Sequence, residues 1–154
     1  STGRDRFRKA MYTHLWRSSL YPAMAVFDFP EPNVTCTRRI RSNTPLQSLT
    51  LANDQTFAEF ARGFALRLLE LPKDDSQRLN FAVLTAIGRE PNSFELSRLR
   101  NYLIQQRTRF AADATAAESF APTQVPSGVD RVEAAAWSAV SRVLMNLDEF
   151  IMKR

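Results

Sequence analysis

The chain has 154 residues, 44% hydrophobic and 24% charged, with one cysteine and a formal net charge of +5. The hydrophobic share suits a packed core and excludes a disordered chain, and no run of about eighteen apolar residues offers a membrane span. A lone cysteine excludes an intramolecular disulfide and every cysteine-based zinc or haem motif.

Charge is uneven along the chain. Residues 1–41 hold eight basic and three acidic side chains, and the remainder is neutral. Electrostatic partner preference therefore resides in the first quarter. Arginine outnumbers lysine eighteen to three. That bias suits bidentate pairing with carboxylates or phosphates; a GC-rich genome produces the same bias. The polar, basic N-terminal residues show no signal-peptide pattern.

Residues 4–17 carry Phe7, Met11 and Leu15 at helical spacing, which predicts a first helix. Arginines in its first turn oppose the helix dipole. Residues 18–37, with Pro22, Pro30 and Pro32, predict an extended arm. Tyr12, Trp16, Tyr21, Phe27 and Phe29 are expected to pack in the core and arm; the alternative is a stacking platform for sugars or bases. Cys36 is expected to be a small buried side chain.

Thr44, Pro45 and Gln47 form a helix start with a capping box. Leu46, Leu49 and Leu51 follow. Asn53-Asp54 then interrupts the helix, with Asp54 as the N-cap of a second one. Phe57, Phe60, Ala61, Phe64, Leu68 and Leu71 give that second helix an apolar face and predict that it is central to the core. Pro72 ends it. A helix on Leu79, Val83, Ala86 and Ile87 closes at Gly88. Asn92 with Glu95 starts the next, striped by Leu96, Leu99, Leu103, Gln106 and Phe110. Residues 113–130 read as a surface loop with one helical turn at Ala114–Ala117. Asp130 with Glu133 starts the last long helix, striped by Val132, Ala136, Val140, Val143 and Leu147, and the tail docks by Phe150.

Four stretches carry a resemblance. They are Met11-Tyr12-Thr13 through Met24-Ala25-Val26-Phe27-Asp28; Cys36-Thr37-Arg38-Arg39 through Asn53-Asp54-Gln55-Thr56-Phe57; Gly88-Arg89-Glu90-Pro91; and Asn146-Leu147-Asp148-Glu149-Phe150. In order and spacing they resemble the C-terminal uncharacterised domain of large exported planctomycete proteins. Arg8-Lys9-Ala10 departs from the arginine pair and serine expected there. The resemblance implies export to the periplasm or cell exterior, and an upstream uncharacterised domain often joined to a cytochrome c-like segment. It also implies that these residues are the C-terminal part of a longer family domain. The haem-attachment cysteines are lacking, so no cofactor is carried over. The family has no established catalytic residue to transfer.

His14 is the one histidine, and no G-x-S-x-G elbow accompanies it. No enzyme is predicted, and no metal site. Arg38, Arg39 and Arg41 precede a helix N-terminus, which itself favours anions. They either hold a sulfate, phosphate or acidic sugar, or pair with acids such as Asp28, Asp54 or Glu59 and lock the arm down; the lock is favoured. The expected fold is all-α, a single domain over 1–154 with five or six helices in an irregular bundle and the arm at 18–37. The leading function is a noncatalytic interaction or structural module. The alternatives are an anion or sulfated-polysaccharide module using the three arginines, and nucleic-acid binding through residues 4–41. Expected partners are upstream domains of the same parent, a polyanion, or a second copy of the chain.

Overall fold

Capping side chains set five of the eight helix starts among the described residues, those after Thr44, Asp54, Asp74, Asn92 and Asp113. The computed structural model describes residues 10–152 except 13, 17, 18, 31, 32 and 39–41. Among them it is all-α, with eight helices and no strand. The helices are α1 (Pro22–Val26), α2 (Pro45–Asn53), α3 (Gln55–Leu69), α4 (Asp75–Ile87), α5 (Ser93–Ala112), α6 (Ala114–Phe120), α7 (Arg131–Met145) and α8 (Asp148–Ile151). The chain divides into two compact units, residues 1–50 and 51–154, with the division inside α2.

In the first unit, Ala10–Tyr12 forms one 3-10 turn, and Trp16 and Ser19 make an isolated antiparallel bridge. The helix predicted over 4–17 is not found here: His14 to Trp16 are not helical, while residues 1–9, 13 and 17 lie outside the described residues. Tyr, Thr, His and Trp all rank low in helix propensity, so the run from Tyr12 to Trp16 has little to sustain one. The arm is not wholly extended either. Pro22 starts the five-residue α1 at the position where a missing N–H costs nothing.

Thr44 and Gln47 form the expected box at the start of α2. The Thr44 N–H donates to Gln47 Oε1 at 3.2 Å and the Gln47 N–H to Thr44 Oγ1 at 3.4 Å. The helix runs through all three leucines, as expected. Leu46 and Leu49 are exposed, while Gln47 is 1% exposed and Leu51 is buried.

In the second unit, α2 ends at Asn53 and the Asp54 side chain caps α3, accepting from the Thr56 N–H at 2.7 Å. Asp74 with Gln77 and Asn92 with Glu95 make reciprocal capping boxes for α4 and α5. Asp113 caps α6, which is longer than the single predicted turn. Gly88 ends α4 with φ 88°, a left-handed conformation that glycine adopts at no steric cost. Asp130 precedes α7 but its side chain makes no capping bond, and the Glu133 carboxylate is engaged by Arg107 and Trp137.

The centre of this unit is α7, not α3. Every residue from Ala134 to Ser141 is buried, together with Leu144 and Met145. A helix buried on all sides needs neighbours on all sides, and α3, α4, α5, α6 and α8 all pack against α7. The side of α3 that reaches the core carries Ala61, Ala65, Leu68 and Leu69, all buried, whereas Phe57 and Phe64 are half-buried and Phe60 is exposed. Alanine lets two helices approach closely, and phenylalanine on that face would hold them apart. The α5 stripe stands as predicted, with Leu103, Gln106 and Phe110 buried and Leu96 and Leu99 packed beside them. Within the expected surface loop, Ala121 and Pro122 are buried.

Trp137 is fully buried in this core and its indole N–H donates to Glu133 Oε1 at 2.8 Å. Truncating it leaves a large cavity in the core, so Trp137→Ala is expected to destabilise the protein by roughly 3–5 kcal/mol. Asp54→Ala removes one cap and should cost only about 0.5–2 kcal/mol. Urea unfolding of both variants checks the order; equal losses would place the core elsewhere.

Candidate functional site

Of the three arginines singled out in sequence, Arg38 lies at an exposed bend; Arg39 and Arg41 lie outside the described residues. The buried lock is therefore not what Arg38 makes. Beside it Cys36 is exposed rather than buried, and its thiol donates to the Arg38 carbonyl at 3.3 Å.

Asp28, one of the three acids named for that lock, is bonded within the same unit. Asp28 adopts φ 56°, uncommon for a residue with a Cβ. Its carboxylate accepts the Ser42 N–H at 2.7 Å and the Ser42 hydroxyl at 2.7 and 2.9 Å. The buried Gln47 amide donates to the Val26 carbonyl at 3.0 Å, to Ser42 Oγ at 3.2 Å and to Asp28 at 3.4 Å. A buried side-chain amide is costly unless bonded, so this knot explains why a glutamine, and not the neighbouring leucines, faces inward on α2.

Two arginine-centred ties organise the second unit. Arg107 of α5 contacts Asp75 of α4 at 2.6 and 2.9 Å and Glu133 of α7 at 2.5 and 2.7 Å, while Trp137 bonds the same Glu133. The bidentate geometry on both sides makes it a three-helix fastening. The Arg107 hydrogen bonds hold the Asp75 carboxyl below its ordinary value, against the opposing effect of burial. At the other end of α5, Arg89 bonds Glu95 at 2.7 and 2.9 Å and Glu149 of α8 at 2.8 Å. Glu95 also accepts the Asn92 N–H at 2.8 Å. The Arg89 guanidinium first, then the Asn92 backbone N–H, pull the Glu95 carboxyl down to about 2. Sequence reading expected the tail to dock by Phe150, which is only half-buried; the tie to Glu149 had no periodic signal to reveal it.

Aromatic side chains near the first arginines were expected to pack inward. Instead Tyr12, Trp16 and Tyr21 are about two-thirds exposed, at 66, 67 and 59%, while Phe27 and Phe29 are half-buried. His14 is exposed, with its ring edge-on to Trp16 at 5.6 Å. Among the described residues, no three His, Cys, Asp or Glu side chains converge as metal ligands, and no helix is long and apolar enough to cross a membrane.

The family model described as PSD1, protein of unknown function (DUF1553), matches residues 1–103, ending inside α5. No curated protein and no solved structure matches the chain.

The depressed Glu95 carboxyl has a consequence for acid stability. The unfolded chain takes up a proton at the ordinary glutamate value, while the folded chain holds the charged form down to about 2. The stability it contributes is thus complete above about pH 4.5 and lost as the pH falls toward 2. Because the pair is solvent-accessible, its size is modest. Glu95→Gln is expected to flatten the fall in melting temperature between about pH 4.5 and 2. An unchanged slope would mean that the Arg89 tie does not hold in solution.

Proposed function

The chain belongs to this family of proteins of unknown function, and we propose that it is a noncatalytic interaction module of a larger exported protein, docking through the aromatic side chains of its first unit. The observation that carries this reading is the exposure of Met11, Tyr12, Trp16 and Tyr21. Large apolar side chains clustered in sequence and left at a surface mark contact sites, and Tyr and Trp contribute disproportionately to such contacts. Among the described residues, four of the five ionisable groups with perturbed titration give further support. Asp75, Glu95, Arg89 and Arg107 are held by one another in interhelical ties, not arrayed around a nucleophile. By resemblance, the parent acts in the periplasm or outside the cell, and the segment that covers these aromatics lies upstream in it.

A second reading is binding of a polyanion, an acidic or sulfated polysaccharide above all, through the exposed Arg38 and its neighbours Arg39 and Arg41. Its support is that Arg38 faces solvent in the segment that carries the whole net charge.

Hydroxyl-radical footprinting of the isolated chain and of the full-length parent separates these readings. Docking predicts that Met11, Trp16 and Tyr21 label readily in the isolated chain and are protected in the parent. Equal labelling in both would contradict it. Protection that appears only on adding a sulfated glycan supports the polyanion reading. Protection by DNA that fades steeply with salt would instead indicate nucleic-acid binding.

A further inference from the structure

Among the arginines of the second unit outside its ion-paired ties, two share a cleft. Arg62 of α3 and Arg142 of α7 line a small cleft of about 70 Å³ with Ala58, Ser119, Phe120 and Ser138. Neither guanidinium is ion-paired among the described residues; the carboxylates in salt bridges there belong to Arg89, Arg107 and Arg131.

Both side chains are held in place by backbone carbonyls. Arg62 donates from Nε to the Phe120 carbonyl at 3.2 Å and from Nη2 to the Ser119 carbonyl at 2.5 Å. Arg142 donates from Nη2 to the Ala52 carbonyl and lies over the Phe120 ring, 5.0 Å from its centroid. Those carbonyls sit at the ends of α6 and α2, where last-turn acceptors lack helical donors. Helix capping accounts for these bonds. It does not account for two cations lining one cleft without a carboxylate between them, an arrangement that like-charge repulsion disfavours. Each guanidinium offers five N–H donors, and the bonds to carbonyls occupy a minority of them. A water needs about 10–15 Å³ of such space, so the cleft has room for a group of several heavy atoms.

The geometry points to a binding site for a single sulfate or phosphate group, free or as an ester on a larger chain, held by the unengaged N–H groups of Arg62 and Arg142. The planar forks match tetrahedral oxyanions bidentately. Arg38, Arg39 and Arg41 are not among the site's lining residues, every one of which belongs to the second unit. Only Arg62 and Ala58 of the lining fall within the family match, which ends before α6 and α7 begin.

The test is an NMR titration of the isotopically labelled chain, following the Nε–Hε signals of Arg62 and Arg142 and the Ser119 amide. Sodium sulfate, sodium phosphate and sodium chloride are compared at matched ionic strength. Saturable shifts in sulfate or phosphate, absent in chloride, are expected. Arg142→Gln should abolish them. Because that change also removes the donor to the Ala52 carbonyl and can unfold the protein, Arg62→Lys serves as the second variant. It keeps the charge and loses the fork, and should weaken binding roughly fivefold or more. A parallel titration with a sulfated oligosaccharide assigns the source: tighter saturation than inorganic sulfate means a polymer-borne ester, weaker saturation the free ion. Shifts that are linear and equal in all three salts, or saturable shifts untouched by Arg62→Lys, overturn the site.

Discussion

A helix with no polar face cannot remain at a surface. From Ala134 to Ser141, α7 offers solvent nothing, and removing apolar area from water is the main favourable term in folding. Its neighbours exist in their observed places because α7 must be covered. α3 covers it with alanines, α5 with Leu103 and Phe110, and α6 with Ala117. The charged ties then fix how these covering helices sit. Glu133, at the first turn of α7, is shared by Trp137 from inside and Arg107 from outside, so the buried indole and the interhelical ion pairs are one connected structure.

Local chemistry was legible in the sequence. The boxes at Thr44–Gln47 and Asn92–Glu95, the cap at Asp54 and the glycine at Gly88 follow from rules that operate over three or four residues, and each stands where those rules put it. Burial was less legible, because it depends on what lies opposite. The apolar stripe assigned to α7 missed Trp137 and placed Leu147 inward, though it is exposed. Periodicity finds a face by contrast with polar positions, and on α7 those positions hold small serines that bury readily. Ser138 satisfies its hydroxyl on the Ala134 carbonyl one turn back, at 2.8 Å. The phenylalanines of α3 misled for the opposite reason: their size suggested a core, while close approach to α7 required alanine.

The motifs that carried the family resemblance have a structural reading. Gly88 closes α4, Arg89 beside it reaches Glu149, and Glu149 belongs to the terminal stretch around α8. Two motifs about sixty residues apart thus meet as the two ends of one tie. Likewise Asp28, Ser42 and Gln47, drawn from two of the quoted stretches, form one hydrogen-bonded knot in the first unit. Much of what looks like a signature is therefore fastening. The candidate site was the least legible part. Arg62 and Arg142 are 80 positions apart in sequence, neither belongs to a charge cluster, and only the packing of α3 and α6 on α7 brings them to one cleft.

The central claim is that α7 is the element on which residues 51–154 depend. Native-state hydrogen exchange tests it most directly. Amides between Ala135 and Leu144 should exchange only through global unfolding, with a free energy equal to that from urea denaturation and above that of α6 and α8. Exchange of these α7 amides through local opening, at a lower free energy than the amides around Leu103 in α5, would contradict it.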